Sequence, residues 1–205
     1  MTGSTTRFKG IVSDTDGTLN NSVEEAAPEF YTGKRGFHIY AGLLFTGMHI
    51  FKGHSTKKIL RCEAESAPEE DRGIRARLNQ EGVEVLKDYR SISTVKTRNN
   101  FRDLPEIERT LKDNGADVPV RRVGKDEKDD MLYGAEGKTL LVQDNPISTL
   151  KDILRHTDSE AVLIPHYYNI ALGRLVCMVS KRIHIGDWAE VRRMISDGQD
   201  TTNTN

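Results

Sequence analysis

Apolar and polar positions follow two different grammars along this chain. From about Gln80 onward the apolar positions switch regularly between helical and strand spacing. Val83, Val85 and Leu86 mark a short helix over residues 81–89, and Ile92 and Val95 a strand over 90–97. Asp103-Leu104-Pro105 reads as a helix start, with Asp103 as a cap and proline in the first turn. That helix carries Ile107 and Leu111 and stops near Gly115, a residue suited to a C-terminal cap. Beyond it the pattern predicts a strand over 118–123, a short helix over 128–133, a strand over 139–142, a helix over 146–154 and a strand over 161–164. Residues 175–179 read as another strand or a loop. A closing helix over 187–195 carries Trp188, Val191 and Ile195. Far upstream, Phe8 to Leu19 reads as one more buried strand, which ends in two carboxylates, Asp14 and Asp16, and then a turn. Strand and helix in this rhythm predict an α/β fold, a mostly parallel sheet with helices on both faces. In such folds ligands sit beyond the carboxyl ends of the strands.

The second grammar occupies residues 20–79, where no strand is followed by its helix. An acidic start, Glu24 to Glu29, gives way to residues 30–62 without a single Asp or Glu. There Phe37, Tyr40, Leu44, Met48 and Phe51 recur at helical spacing, and Ile39, Leu43, Phe45 and Ile50 fill the other faces. A helix apolar nearly all round calls for cover, from the core, from a second copy in a homodimer, or as a lid over a site. Further helical pieces are expected over 55–65 and from about Glu69. The organisation that follows is a core of residues 1–19 and 80–205 with a small, mainly helical cap, 20–79, inserted after the first strand.

Composition narrows the picture without redirecting it. A chain of 205 residues suits one domain with an insertion, enough to bury a core without staples. With 30 Lys and Arg against 31 Asp and Glu, nothing global points to nucleic acid. Cys62 and Cys177 stand alone, as free thiols in a reducing compartment do. The residues before Arg7 lack a signal-peptide core, and the apolar run 37–51 contains two histidines and is too short to span a bilayer. A cytoplasmic protein without a membrane partner is expected.

Candidate chemistry gathers at three strand ends. The first offers Asp14 and Asp16, which share a side if extended geometry persists to Asp16. Carboxylates so close repel unless a cation or a shared proton relieves them. The second strand ends in Thr97-Arg98-Asn99, and the third runs into Gln143-Asp144-Asn145-Pro146. Between these last two lies Gly124-Lys125-Asp126-Glu127-Lys128. Each has a plainer reading. Asp-Gly is a turn signal, Thr97 an ordinary strand residue, residues 125–130 a solvated charged face, and Asp144 a helix cap ahead of Pro146. In the middle segment Lys34, Arg35, His38, Lys52, His54 and Lys57 either greet an anionic substrate or flank a packing helix.

In order (acid pair, hydroxyl, lysine, acid) these motifs resemble the haloacid dehalogenase (HAD) superfamily of phosphohydrolases. Asp14-Thr15-Asp16-Gly17-Thr18 matches the first motif, Thr97 the second, Lys128 the third with Lys125 as runner-up, and Gln143-Asp144 the fourth. The likeness covers residues 8–18 and about 80–195, and the middle segment falls where the family places a cap. It implies a Rossmann-like core and a Mg²⁺-dependent phosphatase acting on a small phosphorylated metabolite of the nucleotide or sugar phosphate class. Asp14 would be the nucleophile that forms an aspartyl-phosphate, and Asp16 the general acid and base. Thr97 and Lys128 would hold the phosphoryl oxygens. Asp14, the Asp16 carbonyl and Asp144 would ligate the metal. Asp16 favours phosphatase over dehalogenase, since a departing alkoxide needs a proton and halide does not. Gln143 departs from the paired acids of the fourth motif and removes a negative charge. Two other functions stay open: a catalytically weakened HAD domain serving as a binding or scaffold module, and a phosphomutase.

Overall fold

The structure, a computed structural model, describes residues 6–20, 78–98, 103–124, 127, 129–166 and 169–197. In chain order its elements are β1 (Gly10–Asp14), α1 (Gln80–Asp88), β2 (Ser93–Thr97), α2 (Leu104–Asp113), β3 (Val120–Arg122), β4 (Thr139–Gln143), α3 (Pro146–Arg155), β5 (Glu160–Leu163), α4 (Ile170–Val179), β6 (Ile183–Ile185) and α5 (Trp188–Ser196). The strands form one six-stranded sheet in the order β3-β2-β1-β4-β5-β6, and every neighbouring pair is parallel. The order reverses at β1, so the crevice between β1 and β4 at their carboxyl ends is the switch point where such sheets bind ligands.

Strand alternation divides the core in two. Ile11, Leu140, Val142 and Val162 pack into a cluster with residues of α1, α2 and α5, including Val83, Leu86, Ile107, Leu111, Val191 and Ile195. Their strand neighbours Val12, Leu141, Ala161 and Leu163 face the other way, into a cluster with Ile153 of α3 and Val176 of α4. Buried on both faces, β4 (TLLVQ) shows the continuous apolar run expected of a central parallel strand.

Trp188 opens α5 on the first face, 1% exposed, and its indole N–H donates to the Thr18 carbonyl at 3.2 Å. Gly82 of α1 lies against this ring. A Cβ there would come within 2.6 Å of Trp188 Cε2. Gly82→Ala should therefore destabilise the fold by roughly 1–3 kcal/mol despite alanine's better helix propensity, because the ring cannot retreat without losing its bond. Urea unfolding of the pair checks this, and an unchanged or raised midpoint would refute it.

The other end of the sheet is clasped by charge. Glu160, first residue of β5, accepts from Arg7 and pairs with Lys138 at 2.6 Å. Burial alone would raise its pKa, but the bonds and charges of Lys138 and Arg7 outweigh it and hold the carboxyl below its usual value. A depressed carboxyl gives stability that is present above the unfolded-state pKa and lost as pH falls through the folded one. Glu160→Gln should thus lower the melting temperature at pH 7, with the deficit closing below about pH 4. A deficit unchanged between pH 7 and 3 would assign the effect to packing.

Three expectations from the apolar pattern need correction. Residues 175–179 are neither strand nor loop but the second half of α4. This all-apolar stretch carries no contrast from which to read a period. Only Leu172, Gly173 and Val176 are buried, at helical spacing, while Leu175, Met178 and Val179 stay exposed. The last strand is instead the three-residue β6, too short to register as a pattern. Residues 131–134 form turns rather than a helix.

The cap proposed for residues 20–79 lies almost wholly outside the described residues, including the apolar run 37–51, the basic side chains 34–57 and the homodimer contact. Its stem is described. Asn20 and Leu78 form an antiparallel bridge, and the Asn79 N–H donates to the Leu19 carbonyl at 2.8 Å. The chain thus departs and returns at one point beside the carboxyl edge of β1. Among the described residues no helix is long and apolar enough to cross a membrane.

Candidate active site

The carboxyl edge of the sheet is built from the ends of β1, β2 and β4. In register, Asp14 pairs with Lys96 of β2, and Ser13 with Val142 of β4. Gln143 therefore lies level with Asp14, and Asp144 one residue beyond. Asp144 and Asp16 are both buried, at 7% and 4% exposure.

The Asp14 carboxyl is pushed well above its usual pKa. Burial is the main cause, and the Asp144 charge is second. Asp16 adds to the rise, while the Arg98 guanidinium and the Thr15 N–H oppose it. That N–H donates to Asp14 Oδ1 at 2.7 Å. Asp14, Asp16, Asp144 and Arg98 thus share one electrostatic neighbourhood.

Extended geometry does not persist to Asp16. The strand stops at Asp14, and the Thr15 carbonyl turns the chain by accepting from Thr18, Leu19 and Asn20. Gly17 has φ +71°, a conformation costly for other residues. His166, beyond β5, donates from Nε2 to the Gly17 carbonyl at 2.5 Å, which puts the proton on that nitrogen. Asn169 bridges the neighbouring strand ends, donating to the Asp144 and Ile164 carbonyls at 2.6 and 2.8 Å. These bonds tie the β1 turn and the β4 end to the β5 loop.

Asp144 is not the helix cap. Asn145 is the N-cap of α3, and its Oδ1 accepts from the Ser148 N–H at 3.1 Å. The α3 cap therefore does not use the Asp144 carboxylate.

Gln143 is fully buried and turned inward. Its Nε2 donates to Thr149 Oγ1 at 3.0 Å and to the Asn145 carbonyl at 3.2 Å, and its Oε1 accepts from Arg98 Nη1 at 3.2 Å. The amide can donate and accept at once, which a carboxylate at this position could not.

Thr97 closes β2, fully buried, one residue past Asp14's register partner. Lys128 and its runner-up Lys125 lie outside the described residues. Arg98 is a described cation at this edge that the sequence did not single out as a site residue, although it belongs to the strand end Thr97-Arg98-Asn99. Besides Gln143 it donates to the Asp129 carbonyl at 2.8 Å and to Asp152 Oδ2 at 2.6 Å. Asp152, on α3, is completely buried, and its Oδ1 has no partner. Its only sequence signal was an acid three residues after Thr149 on the inward face of a helix.

The donors suit a hard cation. Among the described residues no three His, Cys, Asp or Glu side chains form a group able to hold a metal by themselves. Asp14 and Asp144, close enough for one charge to act on the other, are a set Mg²⁺ can use, since it keeps several waters and takes only one or two carboxylates.

A parallel sheet flanked on both faces, with acids at the carboxyl ends of β1 and β4, defines the class: a Rossmann-type α/β fold. Among solved structures, one described as "Putative beta-phosphoglucomutase from Bacteroides vulgatus" aligns over 94% of this chain and 90% of its own, with TM-score 0.51 and 13% identity. The HAD domain of the effector protein Lem4 from Legionella pneumophila, an inactive mutant, aligns over 95% and 96%, with TM-score 0.43 and 13% identity. The first likeness shows the fold alone, and the second is too distant to add to it. No family model and no curated protein matches the chain.

Proposed function

We propose that this protein is a Mg²⁺-dependent phosphomonoesterase of the HAD type, acting on a small phosphorylated metabolite of the nucleotide or sugar phosphate class. The observation that carries the reading is the convergence of Asp14, Asp16 and Asp144 on one crevice, close enough for their charges to raise the Asp14 pKa. Asp14, Asp144 and the Asp16 carbonyl would hold the Mg²⁺, which supplies positive charge to a site that would otherwise repel an anionic ester.

Asp14 attacks phosphorus in line, the ester oxygen departs, and Asp16 protonates it. Water then attacks the aspartyl-phosphate, giving its proton to Asp16 and releasing inorganic phosphate and free Asp14. Thr97 Oγ1 and the ammonium of Lys128, or of Lys125, stabilise the phosphoryl oxygens. Arg98 opposes the acids and favours the ionised Asp14 that attack requires.

The test is hydrolysis of an aryl phosphate. Phosphate release that needs Mg²⁺ and stops with a chelator is expected. Folded protein inactive across a broad phosphate panel would overturn the reading. It would favour a binding module, for which the inward-turned Gln143 is the specific support. The name of the solved neighbour raises a mutase, and isomerised sugar phosphate in place of free phosphate would establish that instead.

A further inference from the structure

The crossover from β3 to β4 carries no α-helix among the described residues, in contrast to the helix-bearing connections of β2–β3, β4–β5 and β5–β6. Over β1–β3 the sheet face that α3 and α4 cover elsewhere meets, among the described residues, the turns around residues 131–136 and no helix. An open cavity of about 390 Å³ results, toward the amino ends of these strands and away from the Asp14 crevice.

Its walls are strongly basic. Lys9, Arg90, Lys96 and Arg121 line it with the hydroxyl-bearing Thr94 and Thr139, against a single acid, Glu136. Among the described residues none of the four cations is ion-paired. Lys96 is 8% exposed. Its Nζ donates to the Tyr133 carbonyl at 2.9 Å, which occupies one of three N–H groups. Arg121 is its direct register partner on β3, so two like charges stand on the same side of adjacent strands. Burial first, and Arg121 with it, press the Lys96 pKa down, while Glu127, Asp130 and Asp152 act the other way. Among the described residues this buried ammonium beside a guanidinium has acids in its neighbourhood but none within ion-pair distance.

We propose that this cavity binds a small multivalent anion, inorganic phosphate or the phosphate group of a metabolite, at a site separate from the carboxylate crevice. Arg90 and Arg121, both exposed, would reach the phosphate from the rim, and Lys96 would meet it from the wall. Arginine's planar fork matches phosphate oxygens two at a time. Lys96 is the register partner of Asp14, and its carbonyl accepts from Thr15 Oγ1 at 3.4 Å. An anion drawn to its ammonium is therefore one residue step from the β1 turn.

The test is calorimetric titration of the full chain with inorganic phosphate and, separately, glycerol 2-phosphate, in chelator. Without a divalent cation the acid crevice repels both, and no turnover is needed, so the outcome is independent of the phosphatase reading. Binding of one equivalent is expected, weakened at least tenfold in the Arg90→Ser/Arg121→Ser double variant with its unfolding midpoint unchanged. The tighter of the two probes identifies the source of the phosphate group. Lys9→Ser/Arg121→Ser gives a second variant should the first fold poorly. Absence of binding to the wild type, or equal affinity in wild type and variants, would overturn the proposal.

Discussion

Asp14→Asn should abolish phosphate ester hydrolysis while making the metal-free protein more stable. The loss is expected to be on the order of 10⁴-fold in kcat, because an amide cannot accept the phosphoryl group and no described neighbour substitutes for it. The stability gain comes from the environment that makes Asp14 reactive. Burial, Asp144 and Asp16 raise its folded-state pKa, so the native protein binds this proton more tightly than the unfolded chain does. Stability then falls as pH rises from the ordinary aspartate range through the raised value. Asparagine removes both the charge and that slope. Melting curves in chelator should show the variant above wild type at pH 7 and level with it in acid. Activity retained in Asp14→Asn would end the covalent mechanism, and a variant less stable at pH 7 would contradict the electrostatic account.

Asp152→Ala should destabilise the fold by about 3–5 kcal/mol, the usual cost of stripping one partner from a buried ion pair. Asp152 is fully buried and holds Arg98 at 2.6 Å, and the Arg98 side chain is itself only 18% exposed. Its removal takes away the carboxylate that the buried guanidinium holds, and the bonds to Gln143 and Asp129 are to neutral oxygens. The double variant Arg98→Met/Asp152→Leu should recover part of the loss, since it leaves no unpaired charge. Arg98→Met alone removes a charge that holds the Asp14 pKa down, so the acidic limb of the pH–rate profile should move upward. A limb that stays in place would confine Arg98 to a structural role.

The parallel core was legible because each buried strand is an apolar run bounded by turn residues, and because Pro105, Gly115 and Pro146 punctuate the helices. What resisted reading had little or no contrast. The apolar α4 shows no period, and β6 is three residues long. The acids of the crevice stood out because charge at the end of an apolar strand is costly without a function. Arg98 and Asp152 escaped notice because their meaning is relational. One follows a strand and the other sits mid-helix, and only the fold brings them 2.6 Å apart. Gln143 looked like a lost ligand, and its role became clear only with the three partners its amide satisfies.

The position of β1 bears on how this protein is made. Of the six strands it leaves the ribosome first, yet it sits in the middle of the sheet between β2 and β4. One edge can be covered by β2 once Ser93–Thr97 are made, but the other must wait for β4, which starts only at Thr139, well over a hundred residues after β1. Nascent chains stalled before Thr139 should accordingly be protease-sensitive and drawn to chaperones, with protection arriving abruptly once β4 has emerged.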